Sequence, residues 1–172
     1  MFKNWLRALG KLDYVQGKER PDVECILCAV RDNDDRVRIL KIYQDDILFV
    51  CLNLYPYNPG HLLIVPIRHV KRYINLTRIE VMRISRAIQG LQHLLDDLYN
   101  PKGYNIGMNE GRIAGGSIEH LHFHLVPRYG EELGYIDIVG KTRIVVESLE
   151  SVKKKLAHRI DTYLNEDFFS EF

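Results

Sequence analysis

Three histidines on alternate positions, His120, His122 and His124, lie in the run Gly115-Gly116-Ser117-Ile118-Glu119-His120-Leu121-His122-Phe123-His124-Leu125-Val126-Pro127-Arg128. From residue 117 to 127 polar and apolar residues alternate, which on a half-buried strand turns the three imidazoles to one face and Leu121, Phe123 and Leu125 to the other. Imidazole is the commonest metal ligand, and near neutral pH it can also be nucleophile, acid or base. The run therefore reads as a metal cage, a phosphate-handling site or a histidine-rich solvated face. Only seven histidines are spread over 172 residues, so three on alternate positions beside Gly-Gly-Ser count against the solvated face. The glycines favour phosphate over a plain metal cage, because chain without Cβ atoms lets backbone N–H groups approach an anion closely.

Cys25-Ile26-Leu27-Cys28 is a second chemical group. Two thiolates three residues apart can hold one tetrahedral zinc if two further ligands come from elsewhere. His69, just after a strand-like run at 61–66, and His120 can supply them. A Cys25, Cys28, His69, His120 cage would tie the N-terminal arm to the sheet, and its zinc would be structural because four ligands leave no position for water. The alternatives are a pair of small buried hydrophobes or a redox motif without the thioredoxin-like context it needs. With Cys51 the chain has three cysteines, which make no disulfide framework.

The elements that must position these groups are legible. Strand-like runs at 36–43 and 47–53 flank Gln44-Asp45-Asp46 and predict a hairpin. The apolar run 61–66 suits a central strand, and 104–111 alternates like a strand ending in a turn. Asn53 at a strand end suits a ribose, since its amide both donates and accepts, or else a turn cap. Thr77 and Glu80 form a capping box and Leu76 with Val81 a staple. The helix they open runs to about residue 99, burying Val81, Ile84, Ile88, Leu91, Leu95 and Leu98 until Asn100-Pro101 stops it. His93 within it reads as a surface residue. Ser148 can cap a last helix with Leu149, Val152, Leu156, Ile160 and Tyr163 on one face and Lys153, Lys154 and Lys155 on its solvated side.

Composition narrows the class. The length suits one domain with a real core: an N-terminal arm at 1–24, a core at 25–128 and a C-terminal extension at 129–172. With 24 basic and 23 acidic residues the net charge is +1, so neither nucleic acid nor an anionic membrane is an expected partner. No apolar run approaches the ~20 residues that span a bilayer, and the N-terminus lacks a signal-peptide core, so a cytoplasmic location is expected.

The run from His120 to Val126 resembles the His-x-His-x-His-x-x signature, each x apolar, of the histidine triad (HIT) superfamily of nucleotide hydrolases and transferases. Asn53-Leu54-Tyr55-Pro56-Tyr57-Asn58-Pro59-Gly60-His61 resembles the family's nucleoside-binding segment. The resemblance implies an α+β, HIT-like fold, with a mainly antiparallel sheet of about five strands and a long helix on one face. It implies His122 as nucleophile on an α-phosphorus, His124 orienting it, and His120 as support, through zinc or through phosphate. It also implies Asn53, His61, Asn109, Gly115, Gly116 and Ser117 around the nucleotide, no organic cofactor, and a homodimer. Several relatives carry the zinc ligands named above. The C-terminal segment and Gly-Gly-Ser are most similar to the diadenosine tetraphosphate phosphorylase-like branch, which implies phosphate as acceptor; hydrolysis of dinucleoside polyphosphates or phosphoramidates is the alternative. Gly116 stands where many dinucleotide-hydrolysing relatives carry Gln. A non-catalytic, zinc-stabilised nucleotide-binding module is the reading from another class, and a nucleophile in the middle position argues against it.

Overall fold

The computed structural model describes residues 21–130 and 147–170. The expected arm up to residue 20, and the stretch 131–146 of the C-terminal extension, lie outside the described residues.

A short helix α1 (Ile26–Arg31) precedes strands β1 (Lys41–Gln44), β2 (Leu48–Leu52) and β3 (Leu62–Pro66). A 3-10 turn at Tyr73–Asn75 leads to the long helix α2 (Arg78–Tyr99), then β4 (Gly103–Met108) and β5 (Phe123–Arg128). Three helices follow, α3 (Leu149–Ala157), α4 (Ile160–Tyr163) and α5 (Glu166–Ser170). The strands form one antiparallel sheet in the order β1-β2-β3-β5-β4. The fold is α+β, as expected. None of the described helices is long and apolar enough to cross a membrane.

β2 and β3 are buried at every position, because they are covered on both faces. One face packs Leu48, Val50, Leu62, Ile64, Phe123 and Leu125 under α2 and α3. The other packs Phe49, Cys51, Leu63 and Val65 against Leu27, Ala29 and Val30 of α1. A strand covered twice loses alternation and reads as a continuous apolar run.

α2 starts as expected. The Thr77 hydroxyl accepts the Glu80 N–H and the Glu80 carboxylate accepts the Thr77 N–H, which satisfies two of the helix's unpaired donors. Asn100 in the left-handed conformation, φ 45°, ends it. Its buried stripe is displaced from the expected one: Ala87, Gly90 and Leu94 are buried, while Val81, Ile88 and Leu98 are half-buried. The C-terminal helices cause this, for a Cβ on Gly90 would come within 2.5 Å of the Tyr163 carbonyl oxygen. The expected last helix is broken after Ala157 and resumes at Ile160 with its apolar face intact. His93 is exposed.

Candidate active site and metal centre

The triad segment joins the sheet later than its alternation predicts. Ladder pairing begins only at Phe123, which lies opposite Ile64 and Met108. His120, at the end of a bend, and His122 precede the ladder, held by the Leu121 N–H on the Val70 carbonyl at 2.7 Å. Alternation runs from Leu121, before the ladder, into it: Leu121, Phe123 and Leu125 enter the core under α2, and His124 lies opposite Leu63 on the α1 side.

His122 and His124 line a cavity on that side of the sheet. Leu27 and Val30 of α1, Leu52 to Tyr55 after β2, and Asn109, Gly115 and Ser117 line it with the two histidines. A mainly apolar chamber with a few polar groups in its lining suits a ligand with an apolar body and a polar part.

His122 is 6% exposed. Its Nδ1 lies 2.8 Å from the His120 carbonyl oxygen. A carbonyl only accepts, so Nδ1 carries the hydrogen and Nε2 keeps the lone pair. Burial pushes the His122 pKa down, against the pull of that hydrogen bond. Burial thus favours the neutral ring, and the hydrogen bond to the carbonyl sets its orientation and, when neutral, its tautomer.

A second chain of hydrogen bonds fixes His124. The Tyr57 N–H donates to His61 Nδ1 at 3.1 Å, so His61 carries its hydrogen on Nε2, which donates to His124 Nδ1 at 3.0 Å. The remaining N–H of His124, on Nε2, is thereby a donor. Its ring stands edge-on to His122 with centroids 5.0 Å apart. The bond that orients His122 is the His120 carbonyl, a backbone contact.

Residues expected around the nucleotide divide into two sets. Asn53, Asn109, Gly115 and Ser117 line the cavity. His61 is buried behind it, and Asn53 also acts as a turn cap, its Oδ1 accepting the Tyr55 N–H at 3.0 Å. Gly115, φ +92°, and Gly116 give their N–H groups to the carbonyls of Arg112 and Gly111, so these two amides are engaged inside the loop. Ser117 makes no hydrogen bond among the described residues. Gly116 is sterically required, since a Cβ there would lie 2.9 Å from the Asn109 carbonyl oxygen and 3.0 Å from that of Gly111. Tyr55 and Tyr57, within the segment that resembles a nucleoside-binding one, line the cavity too; the wall supplied by α1 was not expected, and the apolar Ile26, Leu27 and Val30 around Cys28 are the signal that could have shown it.

Cys25, Cys28, His69 and His120 come together on the far side of His120, their ligand atoms all within 4.8 Å of one another. His120 Nδ1 is 3.6 Å from Cys25 Sγ and 3.5 Å from Cys28 Sγ, and His69 Nδ1 is 3.3 Å from Cys28 Sγ. Bond lengths of about 2.0–2.3 Å around a tetrahedral zinc imply ligand–ligand edges of roughly 3.3–3.8 Å. The donor set fits. His120 Nε2 donates to the Pro66 carbonyl at 3.0 Å, which presents the Nδ1 lone pair to the sulfurs. Burial, with His69 adding, pushes the His120 pKa down to about 4. Burial and the Cys25 thiol raise that of Cys28 to about 11, so a cation would have to displace a proton from Cys28.

The HIT domain family matches residues 36–131. The chain belongs to the HIT family. It is 38% identical over 119 residues to AP-4-A phosphorylase of Mycobacterium tuberculosis, covering 69% of this chain and 61% of that protein. It thus spans under two thirds of that relative's length. It is 30% identical to the asymmetrical bis(5'-nucleosyl)-tetraphosphatase of Schizosaccharomyces pombe over 56% of this chain and 53% of that one. Among solved structures, a Zn-bound histidine triad family protein from Mycobacterium smegmatis matches with a TM-score of 0.66 at 24% identity, covering 81% of this chain and 94% of that one. The likeness extends to the fold.

Proposed function

We propose that this HIT-family chain cleaves dinucleoside polyphosphates, diadenosine tetraphosphate among them, through a nucleotidyl-histidine, with inorganic phosphate as acceptor. The tautomer of His122 carries the reading: a buried neutral ring, its Nδ1–H held by the His120 carbonyl, keeps an unprotonated Nε2 beside the cavity. Nε2 attacks the α-phosphorus, a P–N bond forms, and the P–O bond to the rest of the phosphate chain breaks with its electron pair leaving on oxygen. A phosphate oxygen then displaces the imidazole, giving ADP and ATP from diadenosine tetraphosphate. His124 donates from Nε2 to a phosphate oxygen or to the leaving group, and Ser117 and Asn109 hold the chain. Asn53 meets the ribose, Gly115 and Gly116 shape the loop that leaves room for phosphate, and His61 acts through His124.

The 38% identity to a protein named a phosphorylase supports phosphate as acceptor, as does Gly116, where a longer side chain would displace the loop. The relative named a tetraphosphatase favours water instead, with ATP and AMP as products. Zinc held by Cys25, Cys28, His69 and His120 would supply a structural cross-link between α1 and the triad segment. The name of the Zn-bound neighbour supports that metal. A homodimer is supported by β4, an edge strand among the described residues that leaves Ile106 and Met108 exposed; a sheet edge is a template for a second chain.

Product analysis decides the acceptor. Phosphorolysis gives ADP with ATP and depends on added phosphate; AMP with ATP in its absence makes the protein a hydrolase. No nucleotide trapped on His122 with either acceptor ends the covalent reading.

A further inference from the structure

The metal cage and the cavity share two structural members. The first is α1. Its N-cap is Cys25, whose sulfur accepts the Cys28 N–H at 3.4 Å, so both sulfurs sit at its first turn, while Leu27 and Val30 face the cavity. At six residues it is well short of the roughly 12–15 needed for a helix to persist by itself, and its order rests on what tethers it.

The second member is His120. Its ring faces the two sulfurs, and its carbonyl holds the Nδ1–H of His122. Fixing four donors around one ion therefore fixes a cavity wall and the backbone group that sets the nucleophile's tautomer together.

We propose that metal binding at the cage and nucleotide binding in the cavity are coupled, each raising the affinity of the other about tenfold, within the usual span of about 5–150-fold. This rests on reading the cavity as a nucleotide site. Reciprocity is a thermodynamic requirement, so the coupling is measurable from either side, and a purely structural metal would show none of it in the nucleotide's effect on zinc.

His69 isolates the effect. It is exposed, touches Cys28 Sγ and the His120 ring, and does not line the cavity. His69→Ala removes one ligand; His69→Cys gives a Cys3His set that still holds zinc. In zinc-loaded wild type, saturating AMP should strengthen zinc about tenfold in competition with a chromogenic chelator. His69→Ala stripped of zinc should bind AMP about tenfold more weakly by calorimetry, and His69→Cys should return to within twofold of wild type. Zinc affinity unchanged by AMP in wild type overturns the coupling, as does wild-type AMP affinity in folded, metal-free His69→Ala. Should that variant not fold, the chelator competition on wild type decides alone. AMP that binds the zinc-loaded wild type without affecting zinc refutes only the coupling, whereas AMP that fails to bind it refutes the nucleotide-site reading as well.

Discussion

His120 and His122 are two residues apart, both buried, and each gives one ring N–H to a backbone carbonyl. The nitrogens are opposite. His120 spends Nε2 on Pro66 and turns Nδ1 toward two sulfurs; His122 spends Nδ1 on His120 and leaves Nε2 beside the cavity. One residue type in one segment thus offers a lone pair to a candidate metal site at one position and, in the function proposed above, a nucleophile two residues on. The side chain does not decide this. The carbonyl within reach chooses the tautomer, and the tautomer chooses the chemistry.

Replacing each histidine breaks the comparison most directly. His122→Ala should abolish turnover, by about 10³-fold or more, and leave no nucleotidylated protein in a trapping assay. Its melting temperature should also fall, since a buried ring and its packing on His124 are lost with the hydrogen bond. The metal side is read through stability. Chelation of zinc, with the metal previously held at several hundred times its dissociation constant, should cost about 3–4 kcal/mol of unfolding free energy. A denaturant titration with and without chelator reads that loss; coincident curves would show that the four donors hold nothing.

His61 tests whether the second chain of hydrogen bonds is tuned in the same way. His61→Ala removes the donor that fixes His124 Nδ1 as acceptor, and His124 can then carry its proton on either nitrogen. A fall of about 10–100-fold in kcat is expected, by analogy with the loss of one positioned donor or acid. KM should change less than kcat, because His61 does not line the cavity and reaches it only through His124 and the Asn53 amide, 3.3 Å from its ring. A change in KM alone would make His61 a binding residue.

The order of elements, the capping box at Thr77 and Glu80, and both chemical clusters could be read in the sequence, because each rests on short-range spacing. What could not be read depends on distant partners. The triad alternation predicts a strand from residue 117, yet the ladder starts at Phe123. The Pro66 carbonyl is taken up by the His120 ring, and the Leu121 N–H bonds Val70 outside the sheet. Gly90 looks like a weak point in a helix and is instead the notch over which Tyr163 passes. Tautomers are equally hidden: nothing in His-Leu-His-Phe-His says which carbonyl each ring will meet.

The smallest expected effect sharpens the comparison by loosening only the metal side. Arg68, beside His69, is tied to α2 through Glu80, at 3.1 Å from Nε and 2.8 Å from an Nη atom. Burial raises the Glu80 pKa, but the Arg68 guanidinium and the Thr77 N–H and hydroxyl outweigh it, and the net shift is downward. A carboxyl whose folded pKa lies below its unfolded value adds stability that is fully present above the unfolded pKa, about 4.3, and fades as pH falls through the folded one. Glu80→Gln should therefore cost about 1 kcal/mol at pH 7, with Arg68 being half exposed and the pair screened accordingly. The difference from wild type should shrink below pH 4. The same variant should release zinc faster while the nucleotidylation rate of zinc-loaded protein stays at the wild-type value, because the Arg68 segment reaches His69 and stops short of the His122 ring. An equal loss on both sides would mean that the two histidine clusters respond as one unit, and that the carbonyl of His120 is less rigid than its hydrogen bond implies.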